Sequence, residues 1–122
     1  MDRKPFSLKE RLYSFKYAWA GIRAAFRTDH NTWVHFVLTA AALFLAVVLH
    51  ISRVEWMVLV LVVALVWMAE LFNTALEKTM DFISRDYHPQ IKLVKDLAAA
   101  AVLITSIAAV IVGGLIFIPK LL

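Results

Sequence analysis

The chain has 122 residues, 62% of them hydrophobic and only 18% charged, with a positive mean hydropathy. That balance lies outside the range of water-soluble domains and makes lipid the expected solvent. The absence of cysteine rules out disulfides, thiolate metal sites and a thiol nucleophile. The net charge of +4 is assigned to membrane head groups rather than to nucleic acid, because the basic residues flank apolar runs.

From Ser7 to Phe26, Leu8, Leu12, Phe15, Trp19, Ile22 and Phe26 recur at alternating intervals of four and three, which is a helical stripe. Lys9, Arg11, Lys16, Arg23 and Arg27 surround it, so residues 7–27 are expected to form an amphipathic helix on the membrane surface. Asn31 to Ser52 contains no Lys, Arg, Asp or Glu, and residues 32–52 make a first span. Asp29 and Asn31 stand before it as candidate N-caps. Trp33 and Trp56, with His35 and His50 in a similar role, are read as anchors at the membrane interfaces.

The second span, residues 54–82, carries an uncharged stretch from Trp56 to Ala69 too short to cross by itself, so Glu70 falls near the inner boundary and the helix continues through Asp81. Ser84 to Gln90 reads as a loop, because Asp86 and His88-Pro89 favour a break. The third span covers residues 96–118, with Asp96 as a simple N-cap in the bland reading. Its Ala101, Thr105, Ala109 and Gly113 repeat every four residues, a small-residue face that should pack on protein. The fold expected is thus all-α, with three transmembrane helices and one surface helix. Seven basic residues precede the first span and four lie between the second and third, against only Arg53 and Lys120 elsewhere. The positive-inside rule places the amino terminus in the cytoplasm and the carboxyl terminus outside. A chain this short cannot enclose a large ligand by itself, so a homo-oligomer is expected.

Glu70, Asn73, Glu77 and Asp81 share one face at the end of the second span. Acidic side chains at helical spacing repel one another by a few tenths of a kcal/mol per pair, which suggests a cation between them, with Mg²⁺ the natural candidate. Solvation of a helix end is the bland reading, evenly weighted for Asp81. Glu70 resists it, since a carboxylate at that depth is costly unless paired or employed, and a proton acceptor for a lipid hydroxyl would stand there. Lys92 and Lys95 lie on one face before the third span, placed to meet phosphate or simply to set topology. No GxxxxGK[ST] occurs, so a phosphate-cradling P-loop is excluded.

The segment Glu70-Leu71-Phe72-Asn73-Thr74-Ala75-Leu76-Glu77, followed by Asp81, together with Lys95-Asp96-Leu97-Ala98-Ala99-Ala100-Ala101-Val102, resembles the signatures of the small prokaryotic diacylglycerol and undecaprenol kinases. The similarity runs from about Phe15, through Gly21 and Asp29-x-Asn31-x-x-x-His35, to about Ile104. It implies a homotrimer with shared active sites in the bacterial inner membrane. Such an enzyme would use ATP and Mg²⁺ to transfer the γ-phosphoryl group to a lipid alcohol. By the same resemblance Glu70 is the proton acceptor and Asn73 supports the site, while Asp29 and Glu77 hold the metal. Lys95 contacts phosphate, and Asp96, Tyr17 and the Asp86-Tyr87-His88 turn bind nucleotide. The family usually has Glu where this chain has Asp29, one methylene shorter. The Asp29-x-Asn31 and His35 segment resembles the undecaprenol branch more than the diacylglycerol branch. A non-enzymatic membrane oligomer, a small pore or assembly subunit with Glu70 along a polar path, is the rival from another class.

Overall fold

The structure is a computed structural model describing residues 3–122, and the described residues form four α-helices and no strand. They are α1 (Leu8–Thr28), α2 (His30–Val48), α3 (Arg53–Ile83) and α4 (Pro89–Leu121). The last three are long and apolar enough to cross a membrane. At about 1.5 Å per residue α3 is ~46 Å long, more than a hydrocarbon core of roughly 30 Å requires.

Each helix boundary has a chemical cause. The Ser7 hydroxyl accepts from the Glu10 N–H to start α1. Asp29 both ends α1, its N–H donating to the Ala25 carbonyl, and starts α2, its Oδ1 accepting from the Asn31 N–H at 2.9 Å. The expected N-cap at Asp29 is therefore present. The end of α1 is sealed by the Trp33 indole, whose N–H donates to the Phe26 carbonyl at 2.9 Å while its ring meets Phe26 edge to face at 4.9 Å. The apolar stripe of α1 is uncovered among the described residues: Leu8, Leu12, Phe15 and Trp19 are all exposed.

The first span stops earlier than its apolar run. α2 ends at Val48, where His50 takes a positive φ of 53°. The His50 N–H donates to the Val47 carbonyl and the Ile51 N–H to the Ala46 carbonyl, a Schellman closure that brings Ile51 back onto Ala46. His50 is thus a helix-ending turn residue. Ser52 and Glu55 then form a reciprocal capping box that starts α3.

The helix that carries the third span begins ahead of the span. α4 starts at Pro89 with His88 as N-cap, its Nδ1 accepting from the Gln90 N–H at 3.1 Å. Proline needs no N–H donor in a first turn, so His88-Pro89 starts the helix instead of only breaking the chain. Consequently Lys92, Lys95 and Asp96 lie inside α4, and the N-cap reading of Asp96 is incorrect.

α3 packs mainly along α4 and also meets α2. Ala46, Ile51, Leu59, Val62, Ile116 and Phe117 form a buried apolar cluster at the end of the bundle near His50. On the small-residue face of α4, Thr105, Ala109 and Gly113 are half-buried, whereas Ala101 is exposed. The remaining apolar side chains point outward, as Leu61, Val110 and Leu115 do. For helices in lipid that exposure carries no hydrophobic penalty, and packing plus interhelical polar contacts hold them together.

Candidate active site

The end of the α2–α3 seam opposite the apolar cluster is polar. Asp29, Thr32, His35 and Thr39 follow one another at three- and four-residue intervals, which places them on one face of α2. α3 runs antiparallel and answers in reverse order. The Thr74 hydroxyl donates to Asp29 Oδ2 at 2.9 Å, His35 Nε2 stands 3.4 Å from Glu70 Oε2, and the Trp67 indole N–H donates to the Thr39 hydroxyl at 2.9 Å. Polar rungs of this kind contribute on the order of 0.6 kcal/mol each in a membrane, enough to set register but not to account for the bundle.

Glu70 occupies the middle of this ladder and is 2% exposed. Its Oε2 faces His35, and its Oε1 is buried without a hydrogen-bond partner. A buried carboxyl oxygen left unmatched is costly, and such a group is a candidate for work on a ligand. Asn73, one turn along, donates from Nδ2 to Glu77 Oε1 at 3.3 Å, leaving its own Oδ1 buried and unmatched. Thr32 contributes a third unmatched oxygen from α2. Partial burial works against ionisation of Asp29. The Glu70 carboxyl, the Thr74 hydroxyl, the Asn31 N–H and the nearby Lys78 outweigh it and hold the carboxyl below the ordinary carboxylate range.

A second charged group lies towards the α3–α4 turn. Lys95 Nζ donates to Asp81 Oδ1 at 2.7 Å, and Lys92 pairs with Asp96 one turn further along α4. Both pairs are substantially exposed, so each is worth less than about 1 kcal/mol and opens readily to another partner. Asp86 and Tyr87 are exposed on the turn, His88 is spent as a cap, and Tyr17 is exposed on the free part of α1.

Of the residues singled out from the sequence, Glu70, Asn73, Glu77 and Asp29 thus come together. Lys95 and Asp96 form ion pairs on the neighbouring α4, while Tyr17 and the Asp86-Tyr87-His88 turn stand apart from the ladder within one chain. His35, expected as an interface anchor, instead has its ring against Glu70, and Thr74 is a partner of Asp29 that the sequence reading does not name. The signal for His35 is its place three residues after Thr32 and four before Thr39.

Among the described residues no three His, Asp or Glu side chains gather closely enough to hold a metal unaided. Mg²⁺ is commonly held by one or two carboxylates together with substrate phosphates, not by an all-protein cage. The all-oxygen set of Asp29, Glu77 and the unmatched Asn73 Oδ1 fits an ion delivered in that way.

The sequence model of the family described as "Prokaryotic diacylglycerol kinase" matches residues 16–117. A protein named diacylglycerol kinase from Synechocystis sp. is 46% identical over 112 residues, 91% of this chain and 64% of that protein. The chain thus spans less than two thirds of the length of that relative. A protein named undecaprenol kinase from Bacillus subtilis is 39% identical over 108 residues, 88% of each chain. One named diacylglycerol kinase from Escherichia coli is 35% identical over 95 residues, 78% of each. By the match over residues 16–117 and by these identities, this chain, whose Glu70–Glu77 segment opens on a buried carboxyl, belongs to the prokaryotic diacylglycerol kinase family of lipid kinases.

Proposed function

We propose that the protein transfers the γ-phosphoryl group of ATP, with Mg²⁺, to the hydroxyl of a membrane lipid, and that undecaprenol is its substrate in preference to diacylglycerol. The observation that carries this reading is the Glu70 carboxyl, almost wholly buried between α2 and α3 with Oε1 unmatched. Oε1 accepts the hydroxyl proton as the alcohol oxygen bonds to phosphorus and the bond to the bridging oxygen of ADP breaks, leaving lipid phosphate and ADP. Phosphoryl transfer depends on positioning and charge neutralisation, and the protein's groups divide those tasks. Asp29 and Glu77 would hold Mg²⁺, which supplies charge neutralisation at the phosphates when bound. Asn73 fixes the Glu77 carboxylate. Lys95 exchanges Asp81 for phosphate, and Asp96, Tyr17, Asp86, Tyr87 and His88 bind nucleotide.

The working unit is a homotrimer with shared sites. The separation of Tyr17 and the α3–α4 turn from the ladder within one chain supports it, since neighbouring copies could supply what one chain leaves open. The protein lies in the bacterial inner membrane with its amino terminus cytoplasmic, on the side where ATP is available, and α1 rests its exposed Leu8, Leu12, Phe15 and Trp19 stripe on the bilayer surface.

The preference for undecaprenol is supported by the Asp29-x-Asn31-x-x-x-His35 segment. The 46% identity to a protein named diacylglycerol kinase favours the second reading, diacylglycerol as substrate. A non-enzymatic pore or assembly subunit is disfavoured by the family and does not account for Glu77 beside Asn73. Purified protein given γ-labelled ATP and either undecaprenol or diacylglycerol in mixed micelles decides between them. Label in undecaprenol above diacylglycerol is expected, the reverse order establishes the second reading, and no label in either defeats the kinase reading.

A further inference from the structure

We propose that His35 is the residue that orients the Glu70 carboxyl, holding Oε2 so that Oε1 alone faces the reacting hydroxyl. This inference rests on the kinase reading above and assigns a positioning role to a residue outside the acidic motif.

The geometry is asymmetric. Glu70 lies on α3 with 2% of its side chain exposed, and its two oxygens meet different surroundings: Oε2 has the His35 Nε2 at 3.4 Å, Oε1 makes no hydrogen bond, and the Asp29 carboxylate lies near the carboxyl as a whole. A carboxyl with free rotation about its last bond would present either oxygen, and a proton acceptor works only when one is held within hydrogen-bond reach of its substrate. The imidazole breaks that equivalence. The ring is itself restrained, with its centroid 6.4 Å from that of Trp67, and Trp67 is fixed by its indole N–H donating to the Thr39 hydroxyl at 2.9 Å. Trp67 and Glu70 lie three residues apart on α3, so His35 is seated across one face of that helix with Trp67 on one side and the carboxyl on the other.

His35 also stands at one end of an apolar cavity of about 240 Å³ between α2, α3 and α4, which extends to Phe117. The ring thus borders that space on one side and the Glu70 carboxyl on the other.

The test is steady-state kinetics of wild type, His35→Ala and His35→Gln in mixed micelles, with the lipid alcohol and ATP varied separately. Misplacement of a catalytic group costs up to about 100-fold in rate. His35→Ala is expected to lower kcat by about 10- to 100-fold with KM for ATP within about twofold, and His35→Gln, whose amide N–H can reach Oε2, to recover most of that loss. A merely structural role would lower the amount of folded protein and leave its kcat unmoved. An Ala variant with kcat within about twofold of wild type, or a Gln variant no better than Ala, overturns the proposal. Wild type that labels neither lipid removes the kinase reading and this inference with it, whereas active wild type with an unaffected Ala variant removes this inference alone. If His35→Ala fails to fold, ¹⁵N-histidine spectra of wild type and Glu70→Gln decide: the His35 Nε2 resonance moves if the ring holds that carboxyl, and an unmoved resonance overturns the proposal.

Discussion

Along the seam between α2 and α3, the half nearest Asp29 is held by paired polar side chains, Asp29 with Thr74 and Thr39 with Trp67, and the half nearest His50 by Ala46, Leu59 and Val62 without a polar atom among them. The apolar half is also closed twice at its end, by the Schellman turn at His50 and by the Lys120–Glu55 ion pair at 3.2 Å between α4 and α3. Among the described residues the buried oxygens left unmatched, those of Glu70, Asn73 and Thr32, all lie in the polar half. One end is finished as structure and the other leaves buried polar groups unmatched, so under the proposed function the same two helices separate stability from chemistry along their length.

That division can be broken at either end. The largest effect is expected from Glu70→Gln, which keeps the shape and removes the proposed proton acceptor. Activity should fall by about 10²- to 10⁴-fold, while the unfolding temperature in micelles is unchanged or higher because a buried carboxyl has become a neutral amide. A parallel loss of unfolding temperature would show that the polar half is structural after all.

Phe117→Ala tests the opposite end. It should lower stability by about 2 kcal/mol, less than the ~3–5 of a water-soluble core because lipid contacts replace part of the lost packing. The kcat of the folded fraction should be that of wild type; a fall in kcat would join the two halves.

Asp29→Ala removes a helix cap and the Thr74 bond together, about 1–2 kcal/mol near neutral pH. The pH dependence has a definite sign. Asp29 is held below the ordinary carboxylate range, so its contribution is complete above about pH 4 and fades as pH falls through its lower folded value. The gap between wild type and Asp29→Ala in thermal unfolding should therefore be constant from neutral to mildly acidic pH and narrow below about pH 4. A gap that persists there would mean that the carboxylate charge contributes nothing.

The smallest effect is a gain. His50 carries a side chain at positive φ, which costs roughly 1 kcal/mol relative to glycine, so His50→Gly should stabilise by up to about that much without altering kcat. A loss of stability would place a compensating contact on the imidazole.

How far the fold was legible follows from which physics each feature obeys. The three apolar helices could be read from hydropathy because lipid imposes one constraint on every span. The start of α4 at Pro89 could not, because the uncharged run marks the membrane and not the helix, and residues 89–95 are helical beyond it. Likewise the first uncharged run continues to Ser52, but His50 turns the chain two residues after α2 ends at Val48, at a residue type that gives no strong turn signal. Glu70, Asn73 and Glu77 were visible because they share one helix, where spacing alone fixes neighbours. The contact of His35 with Glu70 was not, because it depends on the antiparallel register of two helices whose meeting residues lie 35 positions apart. Only the tertiary structure converts the interval from Asp29 to His35 into a second wall of the site.

The single residue joining α1 to α2 has a mechanical consequence. Asp29 closes one helix, opens the next and grips Thr74, so the elbow contains no slack. One residue inserted directly after it would swivel the following helix by about 100° relative to the carboxylate and turn His35 away from its partner. The covalent length of that joint thus acts as a gauge, tying the attitude of the α1 strut to the alignment of His35 with Glu70 some ten ångströms along the seam, on the order of 1.5 Å for each of six residues.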